Sequence, residues 1–218
     1  MFKQQPVSQG SAADLTTAAR IRDAAIEVFG EQGFQVGVRA IAAAAGVSPG
    51  LVNHHFGSKN GLRAACDDRV LELIRDEKVK AVTAPNAASG MLAALAEIEL
   101  YGPLVAYMVR SLQAGGPMAE SLFEHMVADA EVYMRQGVDA GTIKPSRDHK
   151  ARARYLMTLN IGAVLLWVQL HYRDGEKIDF RKAIRAITEE LTPPALELYT
   201  QGLLTDTTLM DTVIKEHR

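Results

Sequence analysis

The chain has 218 residues, 48% of them apolar, and a formal charge of −2, so it can bury a sizeable core and is not a global polycation. Its single cysteine, Cys66, excludes an intrachain disulfide and a thiolate-rich zinc site, and fits a reducing, cytoplasmic location. The charge is uneven. Up to Ala65, Lys3, Arg20, Arg22, Arg39, Lys59 and Arg63 outnumber Asp14, Asp23, Glu27 and Glu31, whereas the rest is net acidic, which points to two parts with different partners.

Sustained period-two alternation is missing and helical spacing recurs throughout, so the pattern predicts an all-α fold. Residues 1–14, "MFKQQPVSQGSAAD", contain no apolar run; they read as a flexible arm and not as a secretion signal. Ile21, Ala25, Val28 and Phe29 then share one face of a helix that Gly33 can end. A short second helix runs from Val38 to about Ala45, with Val38, Ile41, Ala42 and Ala45 inward, and Gly46 breaks it. Ser48 is a good N-cap for a third helix, with Pro49 at the first helical position. A fourth starts at Ser58 and carries Leu62, Ala65, Cys66, Val70, Leu73 and Ile74 on one stripe.

The segment "TAPNAASG" marks a boundary. Beyond it the spacing predicts helices at 88–100, 103–114, 117–139, 147–173, 179–191 and 194–204, with Pro193 and Pro194 interrupting the last pair. Residues 155–172 are apolar nearly all round but contain Asn160, Gln169 and His171, so a buried helix is a better reading than a membrane span.

The second and third helices make a helix-turn-helix, a unit that places its second helix in the DNA major groove. Projection at about 100° per residue puts Val52 and Phe56 inside, Gly50, Leu51 and His54 outside, and Asn53 and His55 on the flanks. An outward leucine beside an asparagine and histidines suits a groove: Leu51 for thymine methyls, Asn53 and His54 for base edges or phosphates, His55 for a phosphate. Lys59 opposes the dipole of the fourth helix in its first turn, a placement that an outside phosphate would offset. The competing readings are a metal site, a catalytic histidine and a merely solvated face. Adjacent histidines diverge on a helix and no serine or cysteine nucleophile is evident in register, so metal binding and catalysis are disfavoured and no cofactor is expected.

In order and spacing, "ARIRDAAIEVFGEQGF", "VRAIAAAAGVSPG" and "HHFGSK" with the leucine that follows resemble the N-terminal domain of the TetR/AcrR family of transcriptional regulators, over residues 17–77. The resemblance implies a three-helix DNA-binding domain (15–80, helix-turn-helix unit 37–56) joined through a fourth helix to a larger ligand-binding and dimerisation domain (81–218). It further implies a homodimer on a palindromic operator, released by a small molecule. By position it carries DNA contacts to Arg39, Ser48, Pro49, Gly50, Asn53, His54, His55 and Lys59. Three departures stand out: the loop after Gly33 is one residue short with Val36-Gly37 in place of a threonine pair, Asn53 replaces a tyrosine, and Asn60-Gly61 replaces an acidic position.

In this architecture helices near 153–172 and 181–203 would form the dimer interface. The ligand cavity would lie between residues 91 and 167, with Met91, Tyr107, Met108, Phe123, Met126, Tyr133, Asn160 and Trp167 as candidate lining. Arg110 could meet an anionic ligand or pair with a surface glutamate. These residues suggest a lipophilic effector, for example a drug cleared by an efflux pump, acting on a repressor. The alternative is a helical ligand-binding or dimeric adaptor without DNA binding.

Overall fold

The computed structural model describes residues 12–84, 96–173 and 176–216, which form helices joined by turns and loops, with no strand among them. The elements are α1 (Ala12–Gln32), α2 (Val38–Ala44), α3 (Pro49–Phe56), α4 (Lys59–Thr83), a 3-10 turn (Ile98–Tyr101), α5 (Gly102–Ala114), α6 (Gly116–Asp139), α7 (His149–His171), α8 (Phe180–Gln201) and α9 (Thr208–Glu216).

The helix ends follow local chemistry. Gly33 takes φ +75° after α1 and returns its amide to the Phe29 carbonyl. Ser48 Oγ accepts from the Leu51 amide at 3.3 Å, and Ser58 Oγ from Gly61 at 3.0 Å. Gly61 must be small, because a Cβ there would meet the Phe56 carbonyl oxygen. That accounts for the glycine standing at this departure from the family pattern. At another departure, Gly37 caps α2 with no side-chain hydrogen bond, as its lack of a hydroxyl requires.

Two cores share one helix. Ile21, Ala25, Phe29, Ile41, Val52, Leu62, Cys66 and Val70 form the first, and Tyr107 of α5 completes it. Val105 and Val109, also of α5, join Trp167, Val168, Phe180, Ile184 and Ile187 in the second. The helices meet most extensively between α1 and α5. Gly30 permits this approach: a Cβ there would lie 2.9 Å from Ala106 Cβ and 3.1 Å from the Tyr107 amide nitrogen. Tyr107 thus reaches across the division expected at residues 80/81.

Several boundaries differ from the pattern. The part of the expected arm at residues 1–11 lies outside the described residues, and α1 already includes residues 12–14. Most of the helix expected at 88–100 also lies outside them, and its end forms the 3-10 turn. Pro193 and Pro194 do not break the last pair into two: α8 runs through both. Both prolines and the preceding Glu189 and Glu190 are exposed, so carbonyls deprived of an amide partner can turn to water. The short amphipathic α9, held partly by an Arg147–Asp211 ion pair at 3.1 Å, was not anticipated.

Replacing Gly30 by valine should cost about 1–3 kcal/mol of unfolding free energy in urea titration, because the branched side chain must displace the α5 backbone. Wild-type stability would show that α1 and α5 are not tightly fitted.

Candidate nucleic-acid interface and ligand cavity

Val52 is the anchor of α3, buried in the first core, and Phe56 packs half-buried at its edge. This registration leaves Ser48, Pro49, Gly50, Asn53 and His54 exposed, together with Arg39 on α2. A Cβ at Gly50 would meet only Ser48 Oγ, at 3.9 Å, so the smallness of this residue serves nothing inside the fold. His54 and His55 occupy the last turn of α3, where a positive imidazole complements the helix dipole.

Four expectations change. Leu51 is half-buried rather than fully outward. His55 is also half-buried, and its Nε2 is enclosed without a hydrogen-bond partner, which removes that atom as a phosphate donor in this arrangement. The two imidazoles do not separate: their centroids lie 5.3 Å apart, edge to face. Among the described residues no group of three or more His, Cys, Asp or Glu is placed to hold a metal. Lys59 donates to the Phe34 carbonyl across the turn, so its charge already has an acceptor inside the protein and requires no outside anion.

Behind the helix-turn-helix sits an aromatic joint. The Phe34 ring lies 5.0 Å from Phe29 and 5.6 Å from Tyr107, and the Arg63 guanidinium stacks 3.7 Å above it. The Tyr107 hydroxyl donates to Asp67 Oδ1 at 2.7 Å and lies 3.2 Å from the Arg63 carbonyl. Burial raises the Asp67 pKa, against the hydrogen bond from Tyr107 and the charge of Arg63. Burial and, next, the charge of Asp67 push the Cys66 thiol up to about 12, so the lone cysteine is a core residue without thiolate reactivity.

An apolar cavity of about 370 Å³, partly open to solvent, lies between α4, α5, α6, α7 and α8. Of the candidates, Met108, Met126 and Asn160 line it. Met91 lies outside the described residues. Tyr107 belongs to the joint described above. Phe123 packs on the α6–α7 core under the Arg154 guanidinium, and Tyr133 is buried there, its hydroxyl pushed up to about 12 chiefly by that burial. Trp167 stacks on His171 at 3.9 Å and donates to Glu190 Oε2 at 2.6 Å, which commits it to the α7–α8 contact. Arg110 reaches the Gly30 carbonyl at 3.4 Å and lines a separate polar cleft with Glu31, His171 and Arg173. Lys78 and Tyr199 line the apolar cavity and were not singled out from the sequence.

The family model "Bacterial regulatory proteins, tetR family" matches residues 21–66, and "Tetracyclin repressor-like, C-terminal domain" matches residues 99–205. The HTH-type transcriptional regulatory protein RaaS of Mycobacterium tuberculosis is 52% identical over 204 residues, 94% of each chain. Among solved structures, the transcriptional regulator FadR from Bacillus subtilis in complex with stearoyl-CoA superposes with a TM-score of 0.57 at 18% identity, covering 85% of this chain and 99% of that one. A tetR-family regulator from Streptomyces coelicolor gives 0.56 at 18% identity over 93% and 96%. The two structures are similar in fold.

Tyr107→Phe should lower stability by about 1–3 kcal/mol in urea titration, by stripping a donor from the Asp67 carboxylate. The raised folded-state pKa of Asp67 means that the native state binds its proton more readily than the unfolded chain does. Stability relative to an Asp67→Asn variant should therefore rise as pH falls through that raised pKa towards 3.8, and be lost above it. A difference that stays constant across that window would remove Asp67 from the energetics of the joint.

Proposed function

The chain belongs to the TetR family of helix-turn-helix transcriptional regulators, DNA-binding proteins and not enzymes, and on that premise we propose that it is a homodimeric repressor released from its operator by a lipophilic effector. The observation that carries this reading is the shared helix α5, which presents Met108 and Val109 to the apolar cavity and Tyr107 to the core of the helix-turn-helix domain. A ligand that alters the cavity wall has a packed route to α1, Phe34 and Arg63, and so to the placement of α3.

Arg39, Ser48, Pro49, Gly50, Asn53 and His54 form the DNA-facing surface in this proposal. Arg39 takes a phosphate, the exposed start of α3 approaches the backbone, and Asn53 and His54 read base edges. Leu51 contributes through the part of its side chain left uncovered. His55 and Lys59 support α3 and the loop before α2, rather than the DNA directly.

Dimerisation is supported by α7. Tyr155, Leu159, Leu166 and Leu170 are exposed at helical spacing, with Leu170 73% exposed, and Gly162 lies on the same stripe with nothing near it. Leu196 and Tyr199 of α8 are exposed as well. A stripe of this kind calls for a partner surface. Helix α7 is long and apolar enough to cross a membrane, yet Ala153, Trp167 and Val168 on its other side are core residues. A second copy of α7 and α8 suits that one-sided pattern better than lipid does. A palindromic operator follows from the two-fold symmetry of such a dimer, with action in the cytoplasm. An exporter of lipophilic compounds is the regulated gene to which the effector class points.

Gel-shift titration with DNA from upstream of the gene tests the reading. Arg39→Ala should weaken binding to all sequences about evenly and reduce the salt slope by about one. His54→Ala should instead relax preference at one base position, worth about 1–3 kcal/mol. Absence of any retardation at low salt would favour a ligand-binding adaptor. Leu166→Glu with Leu170→Glu should give monomers in analytical ultracentrifugation, and an undiminished dimer would place the interface elsewhere.

A further inference from the structure

The apolar cavity carries one charge. Lys78, on α4, is the only charged residue in a wall otherwise built from Ile74, Met108, Met126, Ile161 and similar side chains, with Asn160 and Tyr199 as its other polar groups among the described residues. Of the neighbouring charges on α4, Glu77 is bonded to Lys80 at 2.7 Å and Arg75 pairs with Asp129 at 3.4 Å, while the exposed Asp76 makes no ion pair with Lys78. Lys78 has no such pair among the described residues; it is exposed to solvent and also borders the cavity. Burial lowers its pKa, and no acidic group offsets that effect. An unpaired ammonium bordering an apolar cavity can keep its stem along the wall and offer its head to an anion at the opening. Arg110, the cation that the sequence suggested for this task, is engaged by the Gly30 carbonyl in another cleft.

We propose that Lys78 is the head-group site of this cavity, and that the effector is an amphiphilic anion: an apolar body with one carboxylate- or phosphate-like group seated on the Lys78 ammonium. Tyr199 borders the same cavity, and Asn160, whose Nδ2 donates one hydrogen to the Leu156 carbonyl at 2.7 Å, keeps its second amide hydrogen and its Oδ1. The volume of about 370 Å³ suits a compact lipophilic body. The proposal rests on the reading of this cavity as the effector site.

The test uses the full chain and three probes of equal length: decanoate, 1-decanol and decylammonium, measured by calorimetry and by the rise in Tm on binding. The wild-type protein should bind decanoate about 10- to 100-fold more tightly than decanol, the range of a charge-assisted hydrogen bond, and decylammonium most weakly. Lys78→Met should bind decanol as the wild type does and lose the preference for decanoate; Lys78→Gln gives the same comparison if the methionine variant does not fold. Equal wild-type affinity for acid and alcohol, or a preference that survives in both variants, overturns the head-group assignment and leaves the cavity as an effector site. Failure of all three probes to bind the wild type overturns the effector-site reading and this proposal with it.

Discussion

The arrangement depends on how closely α5 can approach α1. Gly30 removes the one Cβ that would hold them apart, and Ala106 and the Tyr107 backbone fill the space. Once that contact is made, Tyr107 must enter the helix-turn-helix core, where its ring meets Phe34 and its hydroxyl finds Asp67. The next residue, Met108, then touches that core, the α7–α8 core and the small cluster of Leu71, Leu122 and Met126, and lines the cavity as well. A regulator needs a structural element that two ligands can bias, and a helix shared by two cores is such an element.

Polar groups at the joint and in the cavity follow the same rule with opposite outcomes. Asp67 is part-buried, and Tyr107 and Arg63 offset part of the cost of that burial, so it helps fix geometry. Lys78, exposed at the border of the apolar cavity, has no ion-pair partner among the described residues, so it is free to take an anion from outside the chain. Lys59 illustrates the first case in a place where the second was expected: a cation in a first helical turn is balanced here by a backbone carbonyl.

Local rules were enough to read much of the DNA-binding half from the sequence. Gly33 and the Ser48-Pro49 pair mark helix ends by their own backbone chemistry, and the four-residue spacing of Val52 and Phe56 gives the inward side of α3. Leu51 was placed too far outward because projection of one helix cannot see the neighbours that half-cover it. Tyr107 resembled a pocket residue since its partners, Arg63 and Asp67, lie 44 and 40 positions away in the chain. Lys78 reads from the sequence as an ordinary exposed helix lysine, and its place beside the cavity depends on α5, α6 and α7, which lie far along the chain. The two prolines of α8 show the converse, a strong local breaker overridden where freed carbonyls can reach water.

The central claim is that the cavity wall and the helix-turn-helix core form one energetic unit through α5. A double-mutant cycle between Met108→Ala and Phe34→Leu, read as urea unfolding free energies of the wild type, both single variants and the double variant, tests it most directly. The account predicts a coupling energy of about 0.5 kcal/mol or more, whereas additivity within about 0.3 kcal/mol would mean that the two sites do not sense each other and would contradict it.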